Sequence, residues 1–211
     1  QVLGQGLEVT LVAGTATGRA LILDGSQRSE RFRAQESTQA IRAAGIATSG
    51  VGPAIGALGG DDGTVCFYRL ADSLRDDGKL ADGALHVAPV LALAGSPDGR
   101  WIVSGSADGT IGLWNAETQR NAMRLFGHGS AVTACGFSAN GRYLFSGSRD
   151  GTIRVWDTTD GWRMVYEADL ATDAAYEVTA MNVSSDGQRL AVGTQRGDVL
   201  VFDVRAEWSP R

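Results

Sequence analysis

Short apolar runs separated by turn residues recur along this chain. One series begins with Val132–Phe137, passes a turn at Asn140-Gly141 into Tyr143–Ser148, and after Asp150-Gly151 reaches residues 152–156. Apolar and polar side chains alternate in the last of these runs, which is the pattern of a half-buried strand. Asparagine and glycine both tolerate a positive φ, so Asn140-Gly141 favours a tight hairpin turn. The series predicts antiparallel strands joined by short turns.

A fourth strand is expected to complete each unit and make it a four-stranded sheet. In the unit just described we predict this strand at residues 162–166. The preceding unit has the same order, with strands predicted at residues 90–94, 101–106, 110–114 and 122–126. The following unit has predicted strands at residues 178–183, 189–193 and 198–202. Three such meanders in succession argue against a helical fold.

One short sequence pattern recurs five times at a nearly constant interval. The best preserved copies are residues 103–115 and 145–157, and the others are residues 13–24, 58–69 and 192–203. Their turn glycines, Gly18, Gly63, Gly109, Gly151 and Gly197, are 45, 46, 42 and 46 residues apart. A period in the forties built from short strands is typical of propeller blades. The predicted fold is an all-β propeller of four-stranded antiparallel blades, with repeats at about 1–36, 37–82, 83–124, 125–168 and 169–211.

The first repeat and two internal stretches depart from this regular pattern. When the first repeat is aligned with the fourth, residues 1–5 fall at the position of the innermost strand. We therefore expect a longer protein with a seven-bladed ring. Closure of the five visible repeats is the alternative. Between residues 24 and 54 we expect an outer strand and a long loop, with Ile41–Ala47 entering the next blade, and we predict another loop at residues 70–85. Both loops are interpreted as connectors or as partner contacts.

Composition narrows the classes of function. Hydrophobic residues make up 43% of the chain, which is enough for a packed core. The formal net charge of −5 provides no broad cationic surface, so direct binding of nucleic acid is not expected. The longest apolar stretch, near residues 87–94, is far shorter than the roughly 20 residues that cross a bilayer. Membrane insertion is therefore not expected.

The two cysteines, Cys66 and Cys135, fall in predicted strands of different repeats. They are interpreted as small apolar residues in a reducing compartment, with a disulfide or a reactive thiol as the alternative. No segment has the pattern of a signal peptide. The expected location is intracellular and cytoplasmic, with the nucleus and organelles left open.

Several short motifs resemble those of the WD-repeat β-propeller family, over nearly the whole chain. Trp156-Asp157 is the dipeptide for which the family is named, and Trp114-Asn115 is a near variant. Gly127-His128 resembles the glycine-histidine pair that opens a repeat in that family. The resemblance agrees with the period and with the predicted turns.

The two histidines of the chain define two matching sets of polar residues. Each histidine precedes a tryptophan by 28 residues, with a serine and an aspartate at the same offsets between them. The resemblance implies that each set is a structural tetrad, whose hydrogen bonds tie the loop before a blade to its hairpin. An aspartate can accept from a ring N–H, a hydroxyl can bridge, and an indole N–H can only donate. The two tetrads are His86, Ser104, Asp108 and Trp114, and His128, Ser146, Asp150 and Trp156.

The other three repeats depart from this tetrad. They have no histidine, and the tryptophan position is occupied by Leu23, Tyr68 or Phe202. The position of the turn aspartate is occupied in these repeats by Thr17, Asp62 and Arg196. We expect these blades to be held by apolar packing alone and to be less rigid.

Catalysis is not expected from these residues. Serine, histidine and aspartate together also suggest a hydrolase triad, but two copies with a tryptophan in the same frame favour a structural role. Two histidines in separate repeats and two strand cysteines give no metal-ligand spacing. Residues 50–56 are rich in glycine, but their spacing does not fit a dinucleotide loop, and no phosphate-binding loop is present. No enzyme activity, metal or cofactor is therefore predicted.

The resemblance implies that partners dock on the narrower face of the propeller, around its channel. Arg149 is the leading candidate, because arginine makes bidentate contacts and is enriched at the energetic centres of interfaces. An ordinary exposed charge is the alternative. The other matching positions are Ala131, Thr133, Leu91, Glu177, Thr179, Gln195 and Asp61, together with Pro89 and Ala107.

The predicted function is a non-enzymatic scaffold for protein–protein interaction, presenting a rigid propeller surface within a multiprotein assembly. The partners are expected to be other proteins. The alternative is a regulatory or substrate-receptor propeller domain of a larger chain whose enzymatic part lies outside this sequence. A propeller that binds a small ligand would need polar groups converging on the channel, whereas the predicted inner strands are mostly Ala, Val, Gly and Leu.

Overall fold

The computed structural model describes residues 10–24, 29–35, 39–48, 54–70, 79–170 and 176–204. Eighteen strands form the regular structure of these residues. The first nine are β1 (Thr10–Gly14), β2 (Arg19–Asp24), β3 (Ser29–Gln35), β4 (Ile41–Ala47), β5 (Ala54–Gly60), β6 (Thr64–Leu70), β7 (Lys79–Ala84), β8 (Val90–Gly95) and β9 (Trp101–Ser106). The others are β10 (Ile111–Asn115), β11 (Arg120–Leu125), β12 (Val132–Phe137), β13 (Tyr143–Ser148), β14 (Thr152–Asp157), β15 (Arg163–Asp169), β16 (Val178–Val183), β17 (Arg189–Thr194) and β18 (Val199–Asp203).

The strands form five antiparallel sheets, and neighbours in sequence are neighbours in each sheet. The sheets are β1–β3, β4–β7, β8–β11, β12–β15 and β16–β18, here termed blades 1 to 5. The first strands of consecutive blades, β4, β8, β12 and β16, lie against one another in that order. The sheets therefore radiate from a common centre, and the predicted all-β propeller of four-stranded antiparallel blades is confirmed.

Blades 1 and 5 each contribute three described strands. Gly18 lies between β1 and β2 as Gly151 lies between β13 and β14, so β1 to β3 match the second to fourth strands of blade 4. The innermost strand predicted at residues 1–5 falls outside the described residues. In blade 5 the turn at Gly197 lies between β17 and β18, so β16 to β18 match the first three strands.

Adjacent blades are joined by a repeated contact between a valine and a glycine. Val132 begins the innermost strand of blade 4 and is fully buried against Gly105 of blade 3. A Cβ atom on Gly105 would lie 2.7 Å from the nearest Val132 methyl group, so a larger residue would separate the blades. Gly147 faces Val178 in the same way, at 2.5 Å. Gly105 and Gly147, in the second strands of blades 3 and 4, are therefore required by packing between blades.

The turn between the first two strands of a blade differs in detail from the prediction. Gly141 has a φ of 71°, but Asn140 does not adopt a positive φ. The Asn140 side chain instead accepts hydrogen bonds from the Ser138 hydroxyl at 2.8 Å and from the Arg142 backbone N–H at 3.1 Å. Asp98 and Asp186 make the equivalent bonds in blades 3 and 5. The turn predicted at Asn140-Gly141 is therefore present, with a positive φ at Gly141 alone and with the Asn140 side chain holding the turn by its hydrogen bonds.

The outer strands also differ from their predicted positions. Residues 79–84 form β7, so the loop predicted at residues 70–85 was wrong over this part, and residues 71–78 lie outside the described ones. The predicted fourth strand at 162–166 begins one residue later, because Trp162 occupies the preceding turn with a φ of 61°. Its buried ring lies 5.5 Å from Trp101 and 6.3 Å from Phe137, between centroids. This packing places Trp162 in the core and not in the strand.

The two cysteines do not form a disulfide. Cys66 is buried and Cys135 is partly buried, and burial raises the pKa of the Cys135 thiol to about 12. This thiol therefore remains protonated at neutral pH. The part of the chain that the structure describes includes no helix long and apolar enough to cross a membrane.

Candidate interaction surface

One end of the propeller is formed by the turns between second and third strands and by the segments that lead into the first strands. These two parts meet through a backbone hydrogen bond of 2.9 Å in each of blades 2 to 5. The bonded pairs are Asp61 and Ala40, Ala107 and Pro89, Arg149 and Ala131, and Gln195 and Glu177. This end of the molecule is termed the loop face.

A buried hydrogen-bond network supports the loop face in blade 3. His86 Nε2 lies 2.7 Å from Ser104 Oγ, and His86 Nδ1 lies 3.2 Å from Asp108 Oδ2. The indole N–H of Trp114 donates to the same Ser104 oxygen at 2.8 Å. Asp108 also accepts a bond from the backbone N–H of Val87, which follows the histidine. The four residues of this set are thus brought together around one turn.

Blade 4 contains the same network with nearly the same distances. His128 Nε2 lies 2.8 Å from Ser146 Oγ, and His128 Nδ1 lies 3.2 Å from Asp150 Oδ2. Trp156 donates to Ser146 at 2.9 Å, and Gly129 N–H donates to Asp150 at 2.7 Å. The matching sequence offsets in the two repeats therefore correspond to matching geometry.

One assignment of protons satisfies the whole network. A proton on Nδ1 donates to the aspartate, the serine hydroxyl donates to Nε2, and the indole donates to the serine oxygen. Ser104 and Ser146 have no exposed surface, so neither hydroxyl is accessible to a substrate in this arrangement. This burial favours a structural role over the hydrolase interpretation.

A threonine adds a fifth member that the sequence analysis did not include. The Thr110 hydroxyl donates to Asp108 Oδ1 at 2.6 Å and lies 3.2 Å from His86 Nδ1. Thr152 makes the same contacts in blade 4, at 2.7 Å and 3.0 Å. The signal was available, because the triplet Asp-Gly-Thr occurs in blades 2, 3 and 4.

Burial sets the charge state of the network. It lowers the pKa of both His86 and His128, so the imidazoles are neutral at neutral pH. Burial alone would raise the pKa of Asp150, but hydrogen bonds from Thr152 and Gly129 outweigh it and lower this pKa to about 2. The pKa of Asp108 is lowered in the same way, despite its burial, by bonds from Thr110 and Val87. Each network therefore contains one carboxylate and one neutral histidine.

Blade 2 replaces the tetrad by other polar contacts. Arg42 donates to the two oxygens of Asp61 at 2.7 Å and 2.9 Å, which helps to lower the pKa of that carboxyl group. Asp62 accepts bonds from the backbone and hydroxyl of Thr64. The expectation that this blade is held by apolar packing alone was therefore wrong.

Arg42 occupies the position of Leu91, Thr133 and Thr179 but was missed in the sequence. In blade 2 the turn glycine Gly63 follows Ile41 by 22 positions, whereas in blade 4 Gly151 follows Val132 by 19. The offset counted back from the glycine therefore failed in this blade. Counting forward from the first apolar residue of the inner strand would have identified Arg42.

The predicted partner positions all lie on the loop face but differ in accessibility. Arg149 Nε lies 3.8 Å from Glu177 Oε2, which joins the surfaces of blades 4 and 5. The Thr133 hydroxyl donates to the backbone carbonyl of Val178 in the neighbouring inner strand. Gln195 and Thr179 are exposed, and Leu91 and Asp61 are half-buried.

Ala131 is the predicted contact that the structure does not support. It is only 7% exposed, because it lies directly before the inner strand of blade 4, where its carbonyl accepts the Arg149 N–H. Its backbone orients the turn, and its side chain offers almost no area to a partner.

Comparison with known proteins agrees with this geometry. Residues 84–115 and 120–157, which contain the two tetrads, match the family model described as "WD domain, G-beta repeat". The radiating sheets and the matching networks of blades 3 and 4 define a β-propeller built from sequence repeats. By this match blades 3 and 4 are WD repeats, and the chain resembles the WD-repeat family. Propellers of this family are typically protein-interaction scaffolds and are generally non-enzymatic.

Two curated relatives match short parts of the chain. Transcriptional repressor tup12 of Schizosaccharomyces pombe is 33% identical over 62 residues, which is 28% of this chain and 10% of that protein. Pre-mRNA-processing factor 19 homolog 2 of Arabidopsis thaliana is 32% identical over 78 residues, which is 35% of this chain and 14% of that protein. The matched part thus spans about a tenth to a seventh of these relatives.

A solved structure matches almost all of the chain. It is a chain from the crystal structure of a mitotic checkpoint complex, with a TM-score of 0.79 over 93% of this chain and 59% of that one. The sequences are 16% identical, so this match supports the fold alone.

Proposed function

We propose that this protein is a non-enzymatic scaffold that presents its loop face to protein partners within a multiprotein assembly. The observation that carries the proposal is a contrast between blades 3 and 4. Their buried networks are the same, but the residues above them differ, with Ala107 in one blade and Arg149 in the other. A constant support beneath a varied surface suits the recognition of specific partners.

The network contributes by fixing the turns that form the loop face. The Asp150 carboxylate accepts one hydrogen bond from the backbone N–H of Gly129, in the loop before blade 4, and another from the backbone N–H of Thr152, after the turn. The loop and the turn are therefore held together. A surface that is already ordered loses less conformational entropy when it binds. The tetrads therefore support binding by positioning the neighbouring turn residues.

Arg149 is the proposed central contact of this surface. Its side chain is 55% exposed, and its ion pair with Glu177 is loose, at 3.8 Å. A partner carboxylate could therefore bind the guanidinium group in bidentate geometry without breaking a short bond. Partner proteins, an intracellular location and the absence of direct nucleic-acid binding remain predictions.

Purification of the tagged protein from its native cells, followed by mass spectrometry, tests the proposal. Arg149→Ala should reduce the recovery of direct partners while leaving the thermal midpoint unchanged. Arg100→Ala is the matched control, because Arg100 lies at the opposite end of the blades and is also 3.8 Å from a carboxylate, that of Asp98. Equal recovery of every partner with both variants would contradict the proposed role of the loop face.

A regulatory or substrate-receptor role within a larger chain is the second candidate. It is favoured by the small share of the curated relatives that the match covers, 10% and 14%. Mass spectrometry of the natural protein in its native cells would distinguish the two candidates. Peptides from an enzymatic domain in the same chain would support the second one.

A further inference from the structure

Blade 3 presents apolar residues at loop-face positions where its neighbours present polar ones. Leu91 stands where blades 2, 4 and 5 have Arg42, Thr133 and Thr179. Ala107 stands where the same blades have Asp61, Arg149 and Gln195. Val87 and Phe126 are apolar residues farther from the axis in blade 3, and Pro89 lies in the segment that leads into its first strand. The whole set is termed the apolar sector. Its members are Val87, Pro89, Leu91, Ala107 and Phe126.

The outer part of the apolar sector is highly exposed. Val87 is 87% exposed and Phe126 is 69% exposed. The N–H of Val87 donates to Asp108 at 3.1 Å, and Asp108 in turn binds Thr110. Phe126 directly follows the residue that pairs with Ile111 in the sheet. The two apolar side chains therefore flank the same short turn.

The buried network does not require these apolar residues. Blade 4 has the same network, yet it has Gly129 at the position of Val87 and Asp169 at the position of Phe126. Folding of the blade therefore does not require a particular residue at either of these two positions. Large apolar residues that are highly exposed around one turn are typical of interaction sites.

The charges on either side indicate the chemistry of the partner. In blade 2 the side chain of Arg42 is 56% exposed and that of its partner Asp61 is 22% exposed. In blades 4 and 5 the values are 55% for Arg149 and 34% for Glu177. In both ion pairs the guanidinium group is the more accessible partner. A ligand that covers the apolar sector therefore meets positive charge at both of its edges.

We propose that the apolar sector binds a short protein segment in which apolar residues are flanked by acidic residues. The inference rests on the proposed scaffold function and names the part of the loop face that carries it. The apolar residues of the segment cover Val87 and Phe126. Its carboxylates lie toward Arg42 on one side and toward Arg149 on the other.

Selection of a random peptide library on the 211-residue chain provides the test. We expect the selected peptides to contain at least two apolar residues with Asp or Glu on both sides. A variant with Val87→Ser and Phe126→Ser should bind them on the order of tenfold more weakly. Arg149→Ala should weaken binding roughly threefold, and only at low salt.

A matched control uses exposed apolar residues elsewhere. Val199 and Val201 on β18 are 69% and 60% exposed, so Val199→Ser with Val201→Ser removes similar apolar area. This variant should bind the selected peptides as the unchanged protein does. All variants are expected to keep the same thermal midpoint, because the substituted side chains are exposed.

The other outcomes separate the two proposals. Peptides that lose affinity with Arg149→Ala but not with the Val87 and Phe126 variant would overturn the apolar sector and leave the loop face as the binding site. Peptides rich in lysine, or sensitive only to the β18 variant, would also overturn it. No peptide binding, or binding insensitive to every loop-face variant, would count against both proposals.

Discussion

Blades 4 and 5 have the same backbone arrangement but different side chains beneath the loop face. In both, the first and second strands pair with the same register and with a shift at the same place. The network positions Ser146, Asp150 and Trp156 of blade 4 are occupied in blade 5 by Val192, Arg196 and Phe202. Strands and turns are therefore sufficient to form a blade, and the network is an additional source of stability.

A buried hydroxyl group occupies the same position in blades 4 and 5 but differs in its hydrogen bonds. Ser148 donates to the Ser130 carbonyl at 3.1 Å and accepts from the Asp150 N–H at 3.1 Å. Thr194 occupies the same position in blade 5, where its buried hydroxyl has no hydrogen-bond partner among the residues that the structure describes. A buried polar group without a partner is unfavourable. Blade 5 is therefore expected to be the less stable of the two.

The largest effect is expected at the aromatic position. Trp156 is 5% exposed and belongs to the core between blades 3 and 4, so Trp156→Ala should lower the free energy of unfolding by about 3–5 kcal/mol. Phe202→Ala in blade 5 should cost less, because Phe202 is only partly buried. Urea unfolding followed by circular dichroism measures both. Equal losses would show that the blades do not differ in the way that we infer.

The central serine of the network should give a smaller loss. Ser146→Ala leaves the Trp156 indole and the His128 ring without their shared partner, which should cost about 1–3 kcal/mol. Ser184→Ala in blade 5 is the control, since it removes a hydroxyl that is bonded at an exposed turn. That control should change stability by less than about 0.5 kcal/mol. If the two alanine variants unfold at the same urea concentration, the network contributes nothing beyond an ordinary turn.

Much of blades 3 and 4 could be predicted from the sequence, because their turn residues and apolar runs are both regular. Strand β7 could not be predicted, because residues 79–84 form an outer strand without apolar and polar alternation, and all six are only partly buried or exposed. Arg42 was missed because three extra residues in its hairpin shifted the frame. The burial of Ala131 depends on contact between blades, which a pattern within one repeat does not contain.

The histidines should make stability depend on pH in blades 3 and 4. Burial lowers the pKa of His86 and His128 in the folded protein, so between that value and about 6.5 the unfolded chain binds more protons. The stabilisation is complete above pH 6.5 and decreases as the pH falls toward the folded pKa. Asp150 adds a further loss of stability as the pH falls from the ordinary carboxyl pKa of 3.8 to its folded pKa of about 2.

Nuclear magnetic resonance can observe this titration directly. The chain has only two histidines, so two imidazole signals report on the two networks. Both signals should keep the chemical shift of the neutral ring at pH values where a free histidine is half protonated. An apparent pKa of 6.5 or higher for either ring would contradict the buried network in that blade.

The smallest effect is expected from repair of blade 5. Thr194→Val replaces a buried hydroxyl, which has no partner within the described part of the chain, by a methyl group of the same shape, so stability should stay constant or rise by up to about 1 kcal/mol. Ser148→Ala in blade 4 should have the opposite sign, because it removes two hydrogen bonds. Urea midpoints of the two variants give the comparison. A loss of stability in Thr194→Val would mean that the hydroxyl has a partner in solution, and blade 5 would then have a polar contact of its own in place of the tetrad.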